Sequence, residues 1–489
     1  MRELVIGLDI GTTSVKAVVF ETKGAIVAEA EEYIETIHPK SGWSEQKPEA
    51  IEQAAVLSLA KAVQKADIQE GEWTAVGISA AMHSLICLDE SGNPLSNAII
   101  WSDGRASDEA ESLRKNGGDQ VYQNTGTPIH PMTPLTKLMW MKNTGYEPYE
   151  QAASFVSIKE YITRKWFGET YIDYAMASAT GMFNIHSFEW DEKALKLAGI
   201  DRSRLGTISG PETVLHGMNE AKALAAGIPQ DLPFVLGAAD GQLANLGEGA
   251  IEPGEAAVSA GTSGAIRQFM KGTRVSKDMS TFSYAFSKDL SIVGGPTNNG
   301  GIVIQWLKDL FKFEGSHEEF LALAEETEPG AQGLLFFPYI NGERAPLWDQ
   351  RAKGNFSGVQ LEHKQPEFVR AVLEGITFNL YQIGRSLDEA AGETTKICVN
   401  GGLARSKIWV QILADVFGRD IHLSESHHGA AWGAAWTALV ATGRASSYEE
   451  IKNYLPKSEI VPANEERHRQ YKKIYARYEK IGRDIVNHF

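Results

Sequence analysis

Apolar and polar positions along the chain follow two alternating patterns. Runs such as "VIGLDIGTTSVKAVVF" (Val5 to Phe20), "WTAVGISA", "AIIW", "DLPFVLGAAD" and "KICVNGG" are apolar and bounded by Gly, Asp or Asn, as buried strands are. Between them lie longer stretches such as "KPEAIEQAAVLSLAKAVQKA", whose apolar residues recur at helical spacing. This alternation predicts an α/β protein. Two later helices are also expected. "GAAWGAAWTALVA" (Gly429 to Ala441) predicts a helix packed closely inside a domain, with a homodimer face as the alternative. The tail "RHRQYKKIYARYEKIGRDIV" predicts a charged helix docked on the second half through Tyr471, Ile474, Tyr478 and Ile481.

Within the opening run a polar gap, Asp-Ile-Gly-Thr-Thr-Ser, separates two strand-like segments, and Lys16 follows it. A similar stretch returns at "VSAGTSGAI" (Val258 to Ile266). Written beneath "LDIGTTSVK", it places Gly261 under Gly11, Thr262 under Thr12 and Ser263 under Thr13, with Ser259 and Ile266 in the places of Asp9 and Lys16. A repeat separated by about half the chain implies two domains of like topology. The length of 489 residues agrees, since it exceeds what one hydrophobic core usually serves. The Gly-rich stretch "NLGEGAIEPGEAAVSAGTSG" puts the boundary near Ile251 to Gly254, giving expected domains 1–250 and 251–489.

Composition narrows the function classes. A net charge of -16 repels a phosphate backbone, which argues against a nucleic-acid partner. No apolar stretch approaches the roughly 18 residues needed to span a membrane. The N-terminus reaches Asp9 without a basic region followed by an apolar core, so no secretory signal and a cytoplasmic location are expected. Cys87 and Cys398 each sit in an apolar run, where a buried reduced thiol is the expected state.

A turn of Gly, Thr, Thr and Ser between strands gathers backbone N–H groups and hydroxyls in one concave place, which suits a phosphate. Two such turns facing across a cleft hold a polyphosphate from both sides. Asp9 beside phosphate oxygens calls for a cation, with Mg²⁺ as the natural choice, and Lys16 adds a point charge. Neither GxxxxGK[ST] nor GxGxxG occurs. A kinase also needs a carboxylate to orient and deprotonate its acceptor. Asp240 ends an apolar strand, with Gly241 and Gln242 opening the next helix, although Asp in that place is commonly an N-cap.

These residues resemble the FGGY carbohydrate kinases, members of the superfamily that includes actin and Hsp70. The resemblance covers nearly the whole chain. "GLDIGTTSVK" is similar to the family's first phosphate motif, "LGAADGQ" to its catalytic aspartate motif and "SAGTSG" to its second phosphate motif. "MTPLTKLMWMKN", "NGERAPLWDQRAKGNFSGV", "GGIVIQWLKDLF" and "VNGGLARSKIWVQILADVFG" resemble further family segments. The resemblance implies two ribonuclease H-like domains flanking a cleft, with ATP and Mg²⁺ as cofactors. It implies that Thr12, Thr13, Ser14 and Lys16 contact nucleotide phosphates, with Asp9 near the metal and Gly261 and Thr262 opposite. Gly301, Gln305, Gly402 and Ser406 would line the adenosine side. Where many members carry a third Gly or an Asn in that last segment, this chain has Leu403 and Ser406. Asp240 becomes the general base.

The acceptor is expected in the first half. Trp101, Asp103 and Arg105 alternate, so they fall on one side of an extended chain and offer a platform, an acceptor and a bidentate donor. The resemblance adds Met82 and His83, with Gln242 beside Asp240. "TGTPIHPMTPLTK" and "YIDYAMASATGMFNIHSFEWD" resemble the gluconate kinases of the family more than the xylulose kinases, with Met176 in place of a second Asp. Losing a carboxylate there suits an anionic sugar acid. Arg105, His130 and Lys159 stand as alternatives for meeting its carboxylate, while composition alone makes Lys159 part of a solvated helix face. A pentulose or polyol kinase is the alternative within the family. An Hsp70-like or actin-like ATPase is the alternative outside it, opposed by the polar set around Trp101.

Overall fold

The computed structural model describes residues 2–69, 71–423 and 428–486. The first half is built on β1 (Leu4–Ile10), β2 (Ser14–Glu21), β3 (Ile26–Tyr33), β4 (Trp73–Ala80), β5 (Val214–Leu215) and β6 (Phe234–Ala239). They lie in the order β5-β6-β4-β1-β2-β3. β1, β4 and β6 are parallel, and β1, β2 and β3 form an antiparallel meander. Helix α1 (Pro48–Ala66) buries Ile51, Ala55, Leu59 and Ala62 against this sheet. Between β4 and β6 come α2 (Pro134–Thr144) and α3 (Ile158–Phe167), and α4 (Asp240–Gly247) leaves β6 without a loop.

The second half repeats the plan. Its strands are β7 (Glu255–Ala260), β8 (Gly264–Lys271), β9 (Phe282–Ala285), β10 (Leu290–Thr297), β11 (Lys396–Asn400), β12 (Ile421–Leu423) and β13 (Glu459–Val461). Their order is β9-β10-β8-β7-β11-β12-β13. A meander of β7, β8 and β10 again adjoins parallel partners, β11 and β12. The series β3-β2-β1-β4-β6 therefore matches β10-β8-β7-β11-β12, the duplicated α/β topology that the repeated turns predict. The helices here are α5 (Gly301–Leu310), α6 (Gln365–Ala391), α7 (Lys407–Phe417), α8 (Gly429–Ala441) and α9 (Glu465–Val486).

Pairing registers correct the alignment of the two turns. In the first, Ile10 pairs with Val15 and Asp9 with Lys16, so four residues, Gly11 to Ser14, lie between the last paired positions. In the second, Ala260 pairs with Gly264 and Ser259 with Ala265, leaving three. One residue fewer slips everything beyond the turn, and the counterpart of Lys16 is Ala265 rather than Ile266.

Helix α8 is buried inside the chain, as its small residues predict, but it packs on the first sheet although it follows all but the last strand of the second. Glycine makes the approach possible. A β-carbon on Gly7 would lie 1.9 Å from Ala431 O, one on Gly77 1.9 Å from Ala434 O, and one on Gly433 2.0 Å from Leu243 O of α4. The tail helix α9 docks on the second half through Tyr471, Tyr475 and Tyr478, with Ile474 and Ile481 half-buried beside them. Arg370 of α6 ties it down by donating to Tyr471 Oη at 2.8 Å. Cys87 and Cys398 are free and buried, and burial pushes their thiols up to about 12 and about 11. Among the described residues no helix is long and apolar enough to cross a membrane.

Candidate active site

Two cavities meet at the second Gly-Thr-Ser turn. On one side Gly261 and Thr262 join Gly301 and Gln305 of α5 and Gly402 and Ser406 before α7 around a space of about 800 Å³. That is within the range of nucleotide-sized sites. The turn rests on the start of α5: Gly301 N donates to Gly261 O at 2.6 Å and Ile302 N to Thr262 O at 3.2 Å. A β-carbon on Gly300 would lie 2.8 Å from Ser263 C and O, so the helix N-terminus reaches the turn only because glycine stands there. Ser406 caps α7 by accepting Trp409 N–H at 3.4 Å. All six residues expected on the adenosine and second phosphate side thus share one wall system.

On the other side lies a smaller cavity of about 230 Å³, lined by Thr12, Met82, His83, Trp101, Asp240, Ser259, Ser263, Ala265, Arg267 and Arg344 with several apolar neighbours. Asp240 is not an N-cap. Ala239 occupies that position, and among the described residues the Asp240 carboxylate accepts only the N–H of Gly241, at 2.6 Å. Burial, together with the nearby Asp9 carboxylate, pushes its pKa up to about 6 against the pull of Arg267.

The strand that delivers Asp240 is shaped by Lys159. Pairing of β6 with β4 breaks between Val235 and Ala238, where Gly237 takes a φ of 64° and a β-carbon would lie 1.9 Å from Ile78 O. The Lys159 ammonium enters this bulge, donating to Leu236 O at 2.8 Å and Ala238 O at 2.9 Å while pairing with Asp173 at 2.7 Å. Lys159 is therefore neither on a solvated helix face nor at the cavity wall. Its partners come from other elements, which composition does not reveal.

Asp103 and Arg105 also depart from expectation. Neither lines the cavity. Arg105 pairs with Asp103 at 2.8 Å and Glu45 at 2.7 Å, and its guanidinium stacks 3.7 Å from the Trp43 ring. Both side chains are fully enclosed, so this pair braces the loop that carries Trp101. His130 is likewise engaged elsewhere: its Nδ1 accepts Met132 N–H at 3.2 Å and its Nε2 meets the Gln350 amide at 2.9 Å. Gln242 is buried and donates to Ala285 O at 3.2 Å. None of the three candidates for a substrate carboxylate lines the cavity.

His83 does line it. Its backbone is left-handed (φ 67°) and its Nδ1–H donates to Ala179 O at 2.8 Å, leaving Nε2 as an acceptor. Burial and the Lys137 charge lower its pKa to about 3, so the ring is neutral. Sequence reasoning missed Lys137, which donates to His83 O at 2.6 Å, Ile99 O at 3.1 Å and Ile100 O at 2.9 Å. This ammonium joins the His83 loop to the segment entering Trp101, and burial lowers its pKa to about 7. Two cavity arginines were missed as well. Arg344 sits 4.9 Å over the Trp101 ring and donates to Thr297 O at 3.1 Å. Arg267 projects from β8 beside Asp240, with Nη1 3.5 Å from Ser259 Oγ. Its signal in the sequence is a charge on an apolar strand, two residues from Ala265 and hence on the same face.

The first turn forms the facing edge. Trp101 Nε1 donates to Thr12 Oγ1 at 3.4 Å, and Gln46 Nε2 holds Thr12 O at 2.6 Å. Thr13 is exposed at the tip. Ser14 Oγ donates to Glu31 at 2.5 Å, and the Lys16 ammonium lies 3.5 Å from the same carboxylate. Asp9 accepts Ser79 Oγ–H at 2.7 Å, and burial raises its pKa.

A base-like carboxyl between two phosphate-type turns is the layout of a phosphotransferase, and comparison with known proteins identifies which kind. The FGGY family of carbohydrate kinases matches with its N-terminal domain over residues 4–247 and its C-terminal domain over residues 256–442. The chain belongs to the FGGY family of carbohydrate kinases. This FGGY kinase is 37% identical to a gluconokinase of Bacillus licheniformis, across 100% of this chain and 97% of that protein. It superimposes on the crystal structure of gluconate kinase from Lactobacillus acidophilus with a TM-score of 0.96 at 33% identity, covering 99% of both chains. It also superimposes on a ligand-bound xylulose kinase from Lactobacillus acidophilus with a TM-score of 0.95 at 33% identity, covering 99% of this chain and 98% of that one.

Proposed function

We propose that this carbohydrate kinase transfers the γ-phosphoryl group of ATP to D-gluconate, giving 6-phosphogluconate. The observation that carries the sugar-acid reading is the charge of the smaller cavity. Arg267 and Arg344 both face it, His83 is neutral, and Asp240 is its one carboxylate among the lining residues. With that carboxylate reserved as the base, the cavity favours an acceptor that brings its own negative charge. The gluconokinase relatives support the same choice.

ATP would occupy the larger cavity, its adenosine against Gly301, Gln305, Gly402 and Ser406 and its γ-phosphate at the shared turn by Gly261 and Thr262. Thr12, Thr13, Ser14 and Lys16 would meet the phosphates from the opposite edge. The sugar would lie against Met82, His83 and Trp101. Asp240 takes the proton of the acceptor hydroxyl as that oxygen bonds to the γ-phosphorus, and the bond from phosphorus to the β,γ-bridging oxygen breaks to release ADP. A carboxyl held up to about 6 is mostly ionised at neutral pH and still basic enough for this step. Asp9 suits a Mg²⁺ ion that keeps most of its waters, since such a site needs one or two carboxylates plus phosphate oxygens. The ion would neutralise phosphate charge.

A coupled ADP-release assay over D-gluconate, D-xylulose, L-ribulose and glycerol tests the reading. The expected outcome is a highest kcat/KM for D-gluconate. A preference for D-xylulose would favour the second reading, which the likeness to a xylulose kinase supports.

A further inference from the structure

We propose that Arg267 and Arg344 together form the clamp that reads the substrate carboxylate and so set specificity for sugar acids. This inference rests on the sugar-acid kinase reading and names the residues that enforce it.

The two guanidinium groups come from different elements, β8 and the loop after Tyr339, yet they face one cavity and feel each other's charge. Two like charges facing one desolvated space are unfavourable unless anions offset them, and the one carboxylate lining it, Asp240, offsets Arg267 only in part. Each leaves its Nε buried with no hydrogen-bond partner among the described residues. Among the described residues neither has an ion-pair partner within 4.0 Å, unlike Arg105 and Arg370, which are held by carboxylates. Glu343, the carboxylate nearest Arg344 in sequence, is consumed by Thr297, Asn299 and Asn379 at 2.7, 3.1 and 3.0 Å.

Room for Arg267 is built in. A β-carbon on Gly241 would lie 2.9 Å from its Nε, and one on Gly294 2.9 Å from its Cγ. Position along the strand fits an acceptor read at both ends. Ala265 and Arg267 share one face of β8, with Ser263 just before the strand, so about 13 Å of extended chain separates the phosphate turn from the Arg267 backbone. Arg344 lies further on, over Trp101, and burial lowers its pKa to about 10, which keeps it charged at neutral pH. Guanidinium forks match carboxylates by paired N–H donors, and among the described residues Arg267 Nη2 and Arg344 Nη1 make no hydrogen bond, which leaves one terminal donor on each for such a pair.

Steady-state kinetics of Arg267→Gln, Arg344→Gln and Arg267→Lys in the full chain, with D-gluconate and its neutral analogue D-glucitol, test the clamp. Loss of either fork is expected to raise the gluconate KM on the order of 100-fold, with ATP affinity by thermal shift unchanged. The preference for gluconate over glucitol falls by a similar factor, and Arg267→Lys recovers part of it. A fall in kcat for every acceptor at unchanged gluconate KM would overturn the clamp and assign Arg267 to the phosphoryl group. So would a gluconate KM that moves in neither Gln variant. If a Gln variant loses ATP binding through misfolding, Arg267→Lys decides, since an unaltered gluconate KM there overturns the clamp. Wild-type protein that phosphorylates D-xylulose and ignores D-gluconate refutes the sugar-acid reading itself, before any variant is compared.

Discussion

Replacing Asp240 by Asn should weaken the enzyme and strengthen the fold. The carboxyl is held up to about 6 because it is enclosed and lies near Asp9. Against an ordinary value near 4, ionising it in the folded chain costs about 3 kcal/mol at pH 8. Its folded value is raised, so its contribution to stability is complete below about pH 4 and is lost as pH rises through about 6. Asn does not titrate, and its amide oxygen can still accept the N–H of Gly241. The variant should match wild type near pH 4 and exceed it increasingly up to about pH 7. For a cooperative unit of about 240 to 490 residues, that gain is roughly 3 to 6 °C in Tm. Scanning fluorimetry of both proteins from pH 4.5 to 8 measures it. A Tm difference that is absent or independent of pH would refute the account of Asp240. In the same samples, kcat should fall by about 10²- to 10⁴-fold, as for a lost general base. Wild-type kcat/KM should climb with pH through about 6 to a plateau.

Three further outcomes are expected. Lys137→Met leaves three carbonyl groups without their donor and should cost about 3 kcal/mol by urea unfolding, raising the sugar KM through His83 while sparing ATP affinity. Gly77→Ala, whose β-carbon would collide with Ala434 O, should cost more than about 3 kcal/mol or abolish soluble protein, read by expression and unfolding. Adding gluconate with a non-hydrolysable ATP analogue should reduce the radius of gyration in small-angle scattering, because the two phosphate turns belong to different halves; an unchanged profile counts against closure.

Local patterns carried much of this site. The duplicated hairpins, the carboxylate at the end of an apolar strand and the Gly-Gly turns are short-range features, and each is legible because strand, turn and helix start follow one another directly. Asp103 and Arg105 misled because alternation fixes a side of the chain but not what covers that side. Glu45 and Trp43, roughly 60 residues away, enclose the pair. Lys159 misled for the same reason, since Asp173 and the β6 bulge exist only after tertiary packing. Arg267 and Arg344 were harder still. Their importance is that among the described residues neither has an ion-pair partner within 4.0 Å and each keeps an unpaired Nε, and a missing counter-charge is visible only when every neighbour has been placed.

Helix α8 bears on how the protein is made. The face of the first sheet around Gly7 and Gly77 is completed by residues beyond position 428. On a ribosome the first half therefore emerges with its strands in order but one side of its sheet uncovered, waiting for most of the second half to be synthesised. The first half on its own does not cover that face of its sheet. Contacts of such long sequence separation slow folding and leave apolar surface open to other chains meanwhile. The late helix is in effect a completion check, since a product truncated before Gly429 lacks the piece that closes its own first sheet.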